Sequence, residues 1–359
     1  MRIVITGSLG YVGAAVISHL REKFPEAELI GFDSGLVADC LTTASATPET
    51  LLTAQHFGDL RDADTSLLRD ADAVVHLAAV SNEAIGARFE AVTDLVNRAA
   101  TLRLATIAAA AGVRNFVFAS SCALYGATGR PARQESDPLA APTAYARAKI
   151  AAEDGLRTMA RAGMAVTCLR FATACGMSER LRLDLPANAF VASAIAGGRI
   201  EVPDDGTPWE PLIDVHDIAR TIEWAILRPV AQGGEALTLN VGRDDHHFRL
   251  REIADAVAAA LPGTTVVGGA PALSPPPSYR VDFSKFKGLA PEHQPQVELL
   301  VSIGRLVRGL RAIGFADPDF RRSDRMIRLN RLSTLVRDGA LTSDLRWRRA
   351  LQPLQRAAA

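Results

Sequence analysis

The first thirteen residues restrict this chain more than any later stretch. Ile3, Val4 and Ile5 form an apolar run suited to a buried parallel strand, and from Tyr11 to Phe24 apolar residues recur at helical spacing. Between the two lie Gly7, Gly10 and Gly13. Glycines so placed permit a tight turn, close approach of the backbone to a pyrophosphate, and close packing of helix on strand. The helix then presents unpaired N–H groups and the positive end of its dipole to an anion. A second apolar run, Leu29 to Phe32, ends in Asp33, about 20 residues past Gly13, where a carboxylate can accept hydrogen bonds from an adenosine ribose. Residues 1–33 therefore read as a dinucleotide-binding βαβ unit, with contacts expected from Gly7, Leu9, Gly10, Tyr11, Val12, Gly13 and Asp33. Asp33 favours NAD over NADP, whose 2′-phosphate would face its negative charge.

At 359 residues the chain exceeds one simple domain. Lysine plus arginine number 40, as do aspartate plus glutamate, so no bulk field attracts nucleic acid or an anionic membrane. No apolar stretch approaches the ~20 residues of a membrane span, and the N-terminus enters a strand without a signal peptide. Cys40, Cys122, Cys168 and Cys175 lack CxxC spacing, which reads as reduced thiols in a cytoplasmic protein without a metal site. His246 and His247 read as loop residues, with no carboxylate or cysteine at ligand spacing.

Residues 34–53, rich in Ala, Thr and Ser, read as a surface excursion. Gln55 to Phe57 is a candidate third strand. Asp59 and Leu60, next to it, would stand at an adenine edge; equally, a helix could start there with Asp62 as its cap. Ala73 to Val80 is a buried strand whose exit, Leu77, Ala78 and Ala79, lets backbone approach a ligand, while His76 reads as a core histidine. A long helix is expected from Arg88 to Ala111 with Asn97 inside it, then a strand from Asn115 to Ala119. Strands thus alternate with helices five times or more, the pattern of an α/β protein with a Rossmann-type doubly wound parallel sheet.

Ligands of such sheets sit beyond the carboxyl ends of the strands, where Ser120, Ser121 and Cys122 follow. Tyr145 and Lys149, four apart at the start of a helix expected to reach Arg161, share one helical face. A free tyrosine titrates near ~10, too high for a base at neutral pH. A neighbouring ammonium and an oxidised nicotinamide ring both favour its phenolate. Ser121 would hydrogen-bond the substrate oxygen whose proton Tyr145 takes, and Lys149 would also hold the nicotinamide ribose.

With these residues the chain resembles the extended short-chain dehydrogenase/reductase superfamily, specifically its NAD-dependent epimerase/dehydratase group acting on nucleotide sugars. The resemblance rests on the turn from Thr6 to Gly13, Asp33, Gly58-Asp59-Leu60, His76 to Ala79, Asn97, Ser120 to Gly126, and Tyr145 with Lys149. Leu169-Arg170-Phe171, Asn188, Ile213 to Asp217, Asn240-Val241-Gly242 and Ser278 to Asp282 continue it to about residue 290. It implies a Rossmann domain holding NAD (1–172 plus 212–242) and a smaller, discontinuous substrate domain (173–211 plus 243–318), followed by an Arg-rich helical extension (319–359). It implies Ser121, Tyr145 and Lys149 as the catalytic triad. It further implies cofactor contacts at Asp59, Leu60, Leu77, Ala78, Ala79 and Asn97, substrate contacts at Ser81, Ser121, Cys122 and Asn188, and a homodimer built on the helices after Arg88 and Tyr145.

Departures from the family pattern narrow the reaction. Dehydratases of this group carry an Asp-Glu pair behind the catalytic hydroxyl; Cys122 and Ala123 stand there and cannot act as strong general acids. Hydride chemistry at one carbon remains, giving a nucleotide-sugar epimerase, or else a reductase or dehydrogenase of a deoxy-sugar nucleotide or another carbonyl compound. A cofactor-sensing protein of the same fold would not need all three catalytic residues. Glu210 stands where relatives have a phosphate-binding arginine, and Pro275-Pro276-Pro277 replaces a second basic position. Arg180, Arg182 and Arg280 are candidates to compensate, with Arg182 and Arg280 preferred; otherwise they are solvated surface arginines. Beyond Asp319, arginines alternate with Ile327, Leu329, Leu332 and Leu335, as in an amphipathic helix packing back on the protein, or one meeting an anionic partner or membrane surface.

Overall fold

In the computed structural model, all residues are described except 44, 82, 128–130, 161–162, 204, 270–277 and 349–359. The chain begins β1 (Arg2–Thr6), α1 (Tyr11–Lys23), β2 (Glu28–Asp33), β3 (Ala54–Phe57), β4 (Ala73–His76). Short helices α2 (Glu83–Arg88) and α3 (Glu90–Asp94) run through a π-helical turn, Leu95–Ala100, into α4 (Thr101–Ala110). Then come β5 (Asn115–Ser121), α5 (Ala144–Met159) and β6 (Ala165–Phe171). Next are β7 (Thr173–Cys175), α6 (Pro186–Gly197), β8 (Arg199–Val202), β9 (Trp209–Asp214), α7 (Val215–Leu227) and β10 (Ala236–Val241). The remainder is β11 (His247–Arg249), α8 (Leu250–Ala260), β12 (Thr265–Gly268), α9 (Ser284–Leu289), α10 (Leu299–Ala312) and α11 (Arg328–Arg337).

Seven parallel strands form one sheet in the order β10-β6-β5-β4-β1-β2-β3. The order reverses between β1 and β4, and that switch point opens the ligand crevice at the carboxyl ends. Alternation along the strands assigns their two faces. Ile3, Ile5, Val75, Val117 and Leu169 pack with Val16, Ile17 and Leu20 of α1 and Ile218 and Ile222 of α7. Val4, Val74, Phe116 and Val166 pack with Leu104 and Ala108 of α4 and Leu156 of α5. Helices therefore cover both faces, the reason the middles of β1, β2, β4 and β5 are continuous apolar runs, with polar residues mostly at the strand ends.

A three-stranded sheet, β11-β9-β7, and the pair β12-β8 stand apart from the large sheet and enclose a second core with α6, α8 and α10. Tyr11 and Ala15 of α1 belong to that core, so the helix that follows the glycine turn is packed by both units.

Three expectations need correction. The helix from Arg88 to Ala111 is interrupted at Phe89 and again by the π turn, and the strand expected to reach Val80 ends at His76. Residues 34–53 are not a free excursion: the Thr42 N–H donates to Glu179 O at 2.8 Å, its hydroxyl to Ser178 O at 2.8 Å, and Arg180 pairs with Glu49. Pro275–Pro277 and Arg161 lie outside the described residues.

Candidate active site

The glycine turn is shaped by its neighbours as well as by its own backbone. Gly7 has φ +74°, and a Cβ there would stand 2.6 Å from the Ala78 nitrogen at the exit of β4. A Cβ on Gly13 would meet the Gly7 and Ser8 carbonyl oxygens at 2.4 and 2.6 Å. Gly10 begins α1 with no side-chain cap, and no acidic residue occupies the first turn, so its N–H groups are left for an anion. Asp33, at the end of β2, accepts from the Leu9 N–H at 3.0 Å and the Gly35 N–H at 2.8 Å. Burial raises its carboxyl above the usual range, against those two hydrogen bonds. Glycine turn, open helix end and strand-end carboxylate together fit a dinucleotide.

Around the rest of the crevice, Leu77, Ala78 and Ala79 are half-buried, the backbone of the first two standing against Gly7. Val12 is half-buried, and Ser81 follows the buried Val80. At the β3 exit the helix is a short 3-10 turn, Leu60–Asp62, capped by Asp59 through the Arg61 N–H, so Asp62 is its last residue rather than its cap; the Asp59 carboxylate also pairs with the Arg61 guanidinium at 2.6 Å. Leu60 is buried.

Several side chains are committed elsewhere. Asn97 is wholly buried, accepting from the Val80 N–H at 2.8 Å and donating to Val80 O at 2.9 Å, so its amide is spent on fixing the loop after β4. Asn188, also wholly buried, accepts from the Gly176 N–H and donates to Tyr11 Oη and Arg182 O. Both its N–H donors are used, so it serves as a pin between the two units. Tyr11 likewise donates its hydroxyl to Gly176 O at 2.7 Å, leaving only its backbone for the crevice. The Cys122 thiol is turned into the core toward Arg170 O at 3.0 Å, and burial pushes it far up; it has no face toward a substrate.

The Tyr–Lys pair is assembled as its spacing requires. Thr143 caps α5, accepting from the Ala146 N–H, and Tyr145 and Lys149 then fall on one face. The Lys149 ammonium lies 5.9 Å from the centroid of the Tyr145 ring and donates to Ala119 O at 2.7 Å, which ties α5 to β5 two residues before Ser121. Burial pulls Lys149 down to about 8, opposed by the Glu153 carboxylate. Ser121 is half-buried, and its hydroxyl oxygen accepts from the Ala123 N–H at 3.1 Å. Beneath them His76 is held between the Thr6 and Thr101 hydroxyls, at 2.7 and 2.8 Å. Burial, aided by Lys149, takes it down to about 3, so it is a neutral core histidine, as read.

A buried network unforeseen in the sequence supports the strand ends. Glu153 receives the Ser120 hydroxyl and a bidentate Arg170, and Arg170 also donates to Tyr125 Oη at 2.9 Å. The helical position of Glu153, four after Lys149, was its only sequence signal. Glu210 is buried and accepts from the Thr173 hydroxyl, so it is not an open repulsive charge. Arg182 pairs with Asp184 at 2.6 Å, and although burial alone would depress it, that carboxylate keeps the guanidinium above its usual range. Arg280 lies 5.2 Å from the Trp209 ring centroid. Arg180 is committed to Glu49 and Ala38 O.

A doubly wound sheet with a phosphate-ready glycine turn and a Ser, Tyr and Lys set beyond β5 defines a nicotinamide-dependent enzyme of the extended short-chain dehydrogenase/reductase type. The chain belongs to the NAD-dependent epimerase/dehydratase family, whose model matches residues 3–242. It is 27% identical over 280 residues to the UDP-glucose 4-epimerase of Streptomyces lividans, covering 71% of this chain and 80% of that one. Among solved structures it resembles MoeE5 in complex with UDP-glucuronic acid and NAD, with a TM-score of 0.74 at 22% identity, over 87% of this chain and 99% of that one. It also resembles the UDP-glucose 4-epimerase of Stenotrophomonas maltophila with bound NAD and formylated UDP-arabinopyranose, with a TM-score of 0.74 at 20% identity, over 88% and 99%.

Proposed function

We propose that the protein is an NAD-dependent nucleotide-sugar 4-epimerase. The observation that carries the reading is the buried Lys149 ammonium beside the Tyr145 ring, anchored to the strand that delivers Ser121, with no carboxylate at positions 122 and 123. NAD, when bound, supplies acceptance and return of hydride at one sugar carbon through a keto sugar. Tyr145 takes the proton of the sugar hydroxyl and returns it; Ser121 hydrogen-bonds the same oxygen; Lys149 stabilises the phenolate and holds the nicotinamide ribose. Without an acid at 122 or 123, no residue there removes water from the neighbouring carbon.

Gly7, Leu9, Gly10, Val12 and Gly13 would hold the pyrophosphate by backbone, Asp33 the ribose, and Asp59 and Leu60 the adenine edge, with Leu77, Ala78 and Ala79 along the opposite wall. For the sugar nucleotide, Ser81, Arg182 and Arg280 are the assigned contacts. The curated relatives' activity on UDP-sugars supports this assignment. The assignment requires that Arg280→Ala raise the KM for a nucleotide-sugar at least tenfold; unchanged KM values for both Arg280→Ala and Arg182→Ala would remove it. We also read the chain as a homodimer through α3, α4 and α5, a face on which Leu95 is 46% exposed. Light scattering giving a monomer mass at micromolar concentration would refute that. The four free, buried cysteines accord with a reducing cytoplasm, and no helix among the described residues is long and apolar enough to cross a membrane.

A further inference from the structure

The Arg-rich C-terminal segment packs back on the protein, and the place where it lands is specific. The apolar face of α11, Leu332 and Leu335, joins Leu341 and Leu345 in a core with Val80, Ile85 and Val92, beside Leu36. Arg331 pairs with Asp39 at 2.6 Å, the Trp347 indole N–H donates to Ser34 O at 2.7 Å, Arg61 donates to Asp344 O at 2.9 Å, and Arg346 pairs with Asp62. The polar partners lie on the loops that leave β2 and β3, and Val80 on the loop that leaves β4. The segment thus straddles the carboxyl ends that the preceding section assigns to the adenosine half of the cofactor. Its closing turn places Leu345 at φ +59° while burying it, a conformation that surrounding contacts must hold in place.

One residue of this segment has no structural reason to be charged. The Arg328 side chain is buried and donates to Arg180 O at 3.1 Å, its Nε has no partner, and among the described residues no carboxylate lies within ion-pair distance. Burial, with Arg182 adding repulsion, pulls its guanidinium down to about 10. Asp33 and Asp184 act on it electrostatically from farther away. A buried guanidinium so poorly paired is costly, whereas a bound anion would satisfy it.

We propose that the C-terminal segment from Phe320 to Trp347 is a strap over the adenosine end of the cofactor cleft, and that Arg328 receives a phosphate of the dinucleotide. The proposal rests on the NAD-binding reading above. In contrast to the glycine turn, which offers only backbone N–H groups, the strap supplies a full charge and a cover, so the cofactor leaves only after the strap loosens.

The test is calorimetric binding of NAD, ADP and adenosine to the full chain and to Arg328→Met and Arg328→Lys, with melting temperatures of the ligand-free proteins. Arg328→Met is expected to weaken NAD and ADP at least tenfold, to leave adenosine within twofold, and to melt no lower than wild type because an unpaired buried charge is gone. Arg328→Lys should fall between. Unchanged NAD affinity, equal loss for adenosine, or tighter NAD binding would each overturn the proposal, the last by showing that the strap obstructs the cleft. Wild-type protein that bound neither NAD nor ADP would overturn the cofactor reading along with it. Should Arg328→Met fail to fold, the half-exposed pair Arg346→Ala with Trp347→Ala tests the cover: release of NAD in stopped flow should quicken at least fivefold, and an unchanged rate would refute it.

Discussion

Tyr145→Phe removes one hydroxyl and leaves the ring that lies beside the Lys149 ammonium. Turnover should fall by about 10²–10⁴, the usual share of a general acid–base group, while the dissociation constant for NAD in a fluorescence titration stays within a factor of about two. The pH profile should carry the signature of Lys149. Because burial sets it at about 8, the ammonium is present below that pH and lost above it, so kcat should decline with a midpoint near 8. An unburied lysine would place that limb above ~10, and activity holding level to such a pH would contradict the assignment. His76 acts on stability with a definite sign. Its pKa is lowered on folding, so between about 3 and ~6.5 the unfolded chain binds the additional proton. Stability therefore falls as pH drops through that window, by at most ~1.4 kcal/mol per pH unit from this residue. Chemical denaturation of His76→Gln between pH 6.5 and 4 should show a shallower dependence than wild type.

The turn and its two neighbouring strands behave as one element, and Gly13 shows why. Its missing Cβ would lie 2.4 Å from the Gly7 carbonyl oxygen, an atom that cannot swing away as a side chain can. Gly13→Ala should therefore lower both the melting temperature and the affinity for NAD, whereas Gly112→Ala, where only the positive φ is strained, should lower the melting temperature alone. This part of the molecule was legible in the sequence because each glycine has a single physical job and the strands announce themselves by apolar runs. The stretch from Arg88 to Ala111 was not. One π turn changes the backbone register without breaking an apolar pattern, and the carbonyl and N–H of Val80, which Asn97 clamps, leave no trace in residue types. Asn188 misled for a related reason: a polar residue at a helix start looks the same whether it faces ligand or, as here, a neighbouring backbone. Arg328 was hidden among arginines of an amphipathic helix, where charge normally means solvent.

The molecule as a whole holds two packed cores that share α1, and the proposed chemistry lies between them. The sheet supplies the turn, Asp33, Ser121 and the face of α5, and the second unit supplies Arg182 and Trp209, whose ring centroid lies 5.2 Å from Arg280. On the proposed reading, one cofactor stays in place and acid–base help reaches one oxygen, which suits a reaction that borrows a hydride and gives it back. The direct measurement is the product of turnover: purified protein with NAD and a panel of UDP-sugars, followed by chromatography of the sugars and by the absorbance of reduced cofactor. The account predicts interconversion of C4 epimers toward equilibrium with no net build-up of reduced cofactor, and none of this in Tyr145→Phe. An oxidised or dehydrated sugar, or reduced cofactor accumulating in proportion to product, would contradict it.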